Sequence, residues 1–275
     1  MHLSEDSSEY DAGVVNGGLR DDELEWFRRQ RRDLEAERGG ESHDAEDLVG
    51  RHGVNVVPAR WWQRDLSLPF DETDYSVTSL SRNDVTAEAR RCRESGNWLP
   101  LLVVSFAWGW GSRGFGPTRL SWVMRGGWRS RGLSRDEIER RLGAAIDVLD
   151  REGAPSAYQL LLTDGRIPAL GPAFFTKFLY FASRSQEVGC PALILDARLA
   201  SAMRGFWTRR SDEPYAVGGH PARWLWQGPR WSTYRYRVYR AFLGRAAAQL
   251  SEAGERWTPD LVELVLFRGG PCEVN

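Results

Sequence analysis

Residues 156–185 read SAYQLLLTDGRIPALGPAFFTKFLYFASRS. Two short stretches, 156–164 and 173–185, carry apolar residues at helical spacing, and Ile167-Pro168-Ala169-Leu170-Gly171 joins them. Proline at the entry and glycine at the exit mark a turn. The segment therefore predicts a helical hairpin. Gly171 permits close backbone approach, and the amides after it, at Ala173 and beyond, lie at a helix N-terminus. Such an end can hold a phosphate without any side-chain charge. Taken alone, the pattern says no more than that, because most helical hairpins bind nothing.

The flanks are also mainly helical. After Gly189 a buried run, PALIL (191–195), leads to Asp196 and the helix ARLASAMR (197–204). Upstream, Ser134 caps SRDEIERRLGAAIDVLDREG (134–153), with Glu137 completing a capping box. Its apolar positions Ile138, Leu142, Ile146 and Leu149 keep the 3.6-residue period. LPLLVVSFAWGWGSRGFG (99–116) reads as a buried helix or strand that ends in a Gly/Trp loop over 107–116. A polar stretch, 72–98, precedes it. Downstream, a long amphipathic helix starts near Ser232, after a Trp/Pro/Gly-rich loop, and a final helix starts at Thr258-Pro259. Period-two alternation is scarce, so the fold class expected is mainly α.

Charge divides the chain. Residues 1–50 hold 15 acids and 6 Arg, a net −9, and residues 51–275 carry +8. The expected organisation is an acidic, partly flexible N-terminal extension over 1–57, disordered to about Leu19, then the helix DDELEWFRRQRRDLEAER (21–38). A helical body follows over 58–275. A basic body suggests a polyanionic partner, although an ordinary Arg-rich surface would look the same.

The 275 residues are 41% hydrophobic, which excludes global disorder and allows an ample core. No apolar run approaches the ~20 residues that cross a bilayer. The first 25 residues show no basic and apolar signal pattern, so a soluble cytoplasmic protein with no membrane partner is expected. Cys92, Cys190 and Cys272 are odd in number and widely spaced. That argues against a disulfide framework, an iron–sulfur cluster or a cysteine-rich zinc site, and no metal or cofactor is expected. Of the 37 basic residues, 36 are Arg and one is Lys, Lys177. An Arg-favouring nucleotide bias explains the missing lysines but not the one that remains. Arginine replaces lysine as a charge; it cannot replace it as a nucleophilic amine.

The segment 156–204 resembles the helix–hairpin–helix of the DNA glycosylase superfamily, whose hairpin reads Leu-Pro-Gly-Val-Gly. Here Ala169 stands for the first glycine of that pattern. Asp196, after PALIL, matches the family's aspartate, and Lys177 lies on the second helix, where bifunctional members carry a Schiff-base lysine. Residues 100–267 are similar to prokaryotic proteins with an 8-oxoguanine-glycosylase-like fold, which share the Ala107-Trp108-Gly109-Trp110-Gly111 loop pattern and the GPAFFTKFLYFA-like helix. Some of these relatives remove hypermodified bases, such as glucosylated hydroxymethylcytosine, from phage DNA. One departure stands out. The family lysine usually follows the last hairpin glycine by two residues, whereas Lys177 follows Gly171 by six.

The resemblance implies a helix–hairpin–helix glycosylase core, with the hairpin at 156–185 and the catalytic segment at 171–204. The implied activity is excision of a modified base from double-stranded DNA. Asp196 would stabilise the oxocarbenium character of the deoxyribose. Lys177, set among Phe174, Phe178 and Phe181, would attack C1′. Gly171, Ala173, Arg198, Arg204, Arg209 and Arg210 are candidate DNA-backbone contacts. Trp108, Trp110, Trp224 and Trp226, with Trp231 near Arg223 and Arg230, are candidates to stack on a flipped base or to wedge the duplex. Each tryptophan taken singly is as readily a core residue. The alternative from another class is a non-catalytic DNA-binding protein that uses the hairpin for backbone contacts alone.

Overall fold

The computed structural model describes residues 8–39, 44–63, 66–112, 114–126, 132–186, 191–210, 224–228 and 231–270. Arg223, Arg230, His220, Cys190 and Cys272, together with the 211–223 stretch, lie outside the described residues. The described residues are mainly helical, with one two-stranded sheet. The chain divides into two compact units: residues 50–194, and residues 1–49 together with 195–275.

The first unit is built around α5 (Leu99–Trp110), which is buried along almost its whole length. A helix that is apolar all round needs neighbours on every side. It packs on α4 (Arg82–Ser95), α6 (Gly116–Arg125), α7 (Arg135–Glu152), α9 (Pro172–Arg184) and strand β1 (Gly53–Val56). The stretch 99–110 is thus helix, and the loop expected from 107 begins only at Gly111. Its N-terminus is capped from outside, since the Glu139 carboxylate on α7 accepts from the Trp98 and Leu99 amides. Burial holds the Glu139 carboxyl above its ordinary pKa, against the lowering effect of those two amides. Ser134 caps α7 as expected by accepting from the Glu137 amide, but the Glu137 side chain pairs with Arg140 and Arg141 instead of closing the box.

The polar stretch 72–98 contains two elements not foreseen. Strand β2 (Thr78–Ser81) pairs antiparallel with β1, and α4 follows directly. Ser81 and Asp84 form a reciprocal capping box at its start, and Gly96 closes its end in the left-handed region. Only Val85, Ala89 and Cys92 give α4 an apolar stripe, and Arg82 and Glu88 are buried beside them.

The hairpin lies in the same unit. Helix α8 (Ala154–Leu162) leads through 163–171 into α9. The Leu170 amide donates to the Ile167 carbonyl at 3.1 Å, with Pro168 second and Ala169 third in the turn. Ala169 has φ 64°, the positive value that the third residue of a type II turn requires. Ile167 and Leu170 anchor the turn inward, at 1% and 5% exposure.

The second unit holds α1 (Glu9–Gly17), α2 (Asp21–Ala36), most of α3 (Ala45–Gly50), α10 (Ala197–Arg209), α11 (Thr233–Ser251) and α12 (Pro259–Gly269). Residues 9–17, expected to be open leader, form a helix against α11. Val14, Val15 and Leu19 are buried there. Asp11 accepts from Arg235, Trp207 and Tyr234. Glu23, on α2, accepts from Arg210 through both oxygens and from Arg209. Asp11 and Glu23 are therefore pair partners inside this unit. The division expected at residue 57 also differs from the observed one, because α1 and α2 share a core with α10, α11 and α12. Phe27 stacks on Phe206, and Phe206 packs against Phe242.

Candidate active site

Lys177 sits in the second turn of α9, and its side chain is almost fully covered, at 5% exposure. Side chains on a helix lean back toward its N-terminus. The lysine follows that direction, and its Nζ donates to the Ala173 carbonyl at 2.8 Å. Nζ also lies 5.8 Å from the centre of the Phe174 ring. The Lys177 amine thus lies against the second residue after Gly171.

The surroundings of Lys177 are aromatic. Phe174 stacks on Phe106 (4.4 Å, 15°) and on Trp110 (5.6 Å, 13°), two residues one turn apart on α5. Trp110 continues to Phe115, which is half exposed, and Phe115 meets Trp122 edge-on. Phe115 and Trp122 were not singled out from the sequence. Their spacing from Trp110 crosses a helix break and gives no periodic signal.

Trp108 takes a different place from Trp110. It is buried at 4% exposure, donates to the His52 carbonyl and packs edge-on against Phe181. The Arg82 guanidinium lies over its ring and donates to the Tyr180 hydroxyl at 2.7 Å. Trp108 is a core residue beneath α9, which corrects its assignment to the base pocket. Among the described residues, Cys92 is the cysteine of this unit. Burial, and then the neighbouring Glu88 charge, push its thiol up to about 12, so it stays protonated at neutral pH.

The hairpin presents Gly171 as the N-cap of α9, with extended backbone (φ −93°, ψ 172°). Any residue adopts that conformation. A Cβ built there meets nothing within 4 Å. Neither conformation nor internal packing therefore requires glycine at 171.

In the other unit Asp196 is the N-cap of α10, and its Oδ1 accepts from the Arg198 and Leu199 amides at 3.1 and 3.2 Å. Its second carboxylate oxygen takes no part in those two bonds. Arg198 is exposed, lies over Phe267 and donates to the Arg268 carbonyl. Arg204 is exposed on the same helix. Arg209 and Arg210 differ from expectation. Arg210 is 3% exposed, with its guanidinium on Glu23 and the Gly18 carbonyl. Arg209 joins the same carboxylate and covers Phe206. Buried charges of this kind are held by their partners, so Arg210 faces inward and is corrected to an internal ion pair. Trp226, at 3% exposure, packs on Trp207 and under Arg235, and Trp231 is equally buried. Trp224 is 73% exposed.

Comparison with known proteins matches residues 47–267 to a family model described as "Putative 8-oxoguanine DNA glycosylase OGG-like protein". The chain belongs to this OGG-like family. No curated protein and no solved structure matches it. Membership points to DNA glycosylase activity and a DNA substrate. Among the described residues, no helix is long and apolar enough to cross a membrane.

Proposed function

We propose that the protein excises a modified base from double-stranded DNA, with Lys177 and Asp196 as its catalytic residues. The observation that carries this reading is the position of the sole lysine, whose amine is directed along α9 to Ala173 at the hairpin end. A solvated surface lysine would gain nothing from such a position.

The chemistry assigned to each residue follows from its type. Loss of the base leaves positive charge on the deoxyribose, and the Asp196 carboxylate, oriented by two backbone amides, stabilises that charge. The Lys177 amine, in its neutral form, attacks C1′. A C1′–N bond forms, the bond to the base breaks, the base departs with its electron pair and takes up a proton, and the attacking amine gives up one. Gly171, which the protein itself does not need, leaves room for a DNA phosphate to approach the start of α9. Trp110 and Phe115 offer aromatic faces for a base taken out of the stack, and Arg198 and Arg204 offer phosphate contacts. The bases proposed are an oxidised guanine or a bulky glucosylated cytosine. Excision of the second would serve defence against phage.

The test pairs binding with excision. Asp196→Asn keeps an N-cap of equal quality while removing the charge, so α10 stays intact. Lys177→Gln keeps length without the nucleophile. Both variants are expected to bind modified duplex as the wild type does and to lose abasic-site formation. Wild-type binding together with unchanged abasic-site yields in both variants would refute the catalytic roles. Salt-sensitive binding with no abasic sites from any modified DNA would make the protein a non-catalytic DNA binder.

A further inference from the structure

We propose that Gly109 is a positioning residue for Lys177, its missing side chain forming the channel in which the lysine methylenes lie. The inference rests on Lys177 being the nucleophile. Gly109 stands in the last turn of α5, between Trp108 and Trp110. Its φ is not positive, so the backbone does not call for glycine. Inside a helix, glycine is less stable than alanine. The cost has a visible counterpart. A Cβ at 109 would lie 2.8 Å from Lys177 Cδ, 3.1 Å from Cε and 3.6 Å from Phe174 Cε1. No other group lies among the three nearest atoms. The space that glycine leaves is filled by the lysine chain and, beyond it, by the ring on which Trp110 stacks.

The obstructed atoms are the outer part of a flexible side chain, so alanine at 109 is compatible with folding. It is not compatible with the present course of the lysine. Carbon atoms in contact settle at about 3.5–4.0 Å, so Cδ must retreat by roughly 1 Å and carry Nζ away from the Ala173 carbonyl. A misplacement of about 1 Å in a reacting group costs on the order of 10²-fold in rate. Gly109 therefore acts through Lys177 and needs no contact with DNA.

The experiment uses full-length Gly109→Ala, Lys177→Gln and wild-type protein on an abasic-site duplex with borohydride. Thermal unfolding and duplex affinity serve as controls. Wild type is expected to trap one adduct at Lys177, identified by peptide mass. Lys177→Gln should trap none there, and Gly109→Ala should trap it about 10- to 100-fold more slowly, with affinity unchanged and melting temperature unchanged or raised. Equal trapping rates in wild type and Gly109→Ala would overturn the inference and leave the lysine assignment standing. If wild type forms no adduct at Lys177, the lysine assignment fails separately, and a second measurement decides the positioning claim. Reductive methylation with formaldehyde is followed at Lys177, with the N-terminal amine as internal standard. A several-fold change in the Lys177 rate in Gly109→Ala supports the channel, and identical rates overturn it.

Discussion

The Lys177 amine rests 2.8 Å from the carbonyl of Ala173, one helical turn toward the hairpin from its own Cα. The ordinary lean of helical side chains carries this amine toward the hairpin end of α9. The stacked rings of Phe106, Phe174 and Trp110 stand beside it.

The hairpin turn holds Ala169 at φ 64°, a conformation that costs a residue with a Cβ roughly 1–2 kcal/mol. Ala169→Gly relieves the strain and loses part of the gain to unfolded-chain entropy. A net stabilisation of about 0.5–1 kcal/mol is expected in urea unfolding. A destabilised variant would show that the turn does not need the left-handed conformation.

Asp11 and Glu23 give acid sensitivity a defined sign. Burial is the largest single effect on each and opposes ionisation. For Asp11 it is outweighed by Arg235, Trp207 and Tyr234, and for Glu23 by Arg210, the Arg20 amide and Arg209. Both carboxyls are held below their ordinary values of 3.8 and 4.5. As pH falls, the unfolded chain takes up these protons first, so the stability present above those values is lost through and below them. Glu23→Gln should cost about 3–5 kcal/mol at pH 7, because Arg210 is left buried without its counter-charge. It should also flatten the fall in urea midpoint below pH 5. A fall as steep as that of wild type would contradict this.

The two tryptophans flanking Gly109 should separate cleanly. Trp108→Ala empties a core site and is expected to cost about 3–5 kcal/mol in stability. Trp110→Ala should lose about 0.5–1.5 kcal/mol of ring stacking, together with most of the base-excision rate. Paired melting and excision assays check this, and equal loss of stability in both would remove the distinction.

Arg198 and Arg204 are exposed on α10, and Arg210 is not. If the first two reach phosphates, Arg198→Ala and Arg204→Ala should each lower the slope of log affinity against log salt by about 0.9 on duplex DNA. Titrations at several salt concentrations measure it. Unchanged slopes in both would take α10 out of the DNA contact.

Much of this was legible in local sequence. The hairpin, the Ser134 cap and the apolar stripe of α7 are encoded by neighbours three to four residues apart, and the sole lysine stood out by count. What was hidden depends on distant partners. The acidic leader reads as solvated because Arg235 and Arg210, which draw Asp11 and Glu23 into the core, lie 224 and 187 residues further on. Helix α4 is masked by buried Arg82, which donates to the Tyr180 hydroxyl 98 residues further on. Trp108 and Trp110 read alike in a Gly-rich stretch, and only the continuation of α5 through Trp110 turns one inward. Gly109 was visible between them, but its use required knowing where the lysine chain runs.

The most direct test is mass spectrometry of small molecules released when the protein is incubated with oxidised duplex DNA and with glucosylated phage DNA. The account predicts a free modified base in equal amount to new abasic sites, with both lost in Asp196→Asn. Intact bases in every DNA, under conditions in which the protein binds them, would contradict it.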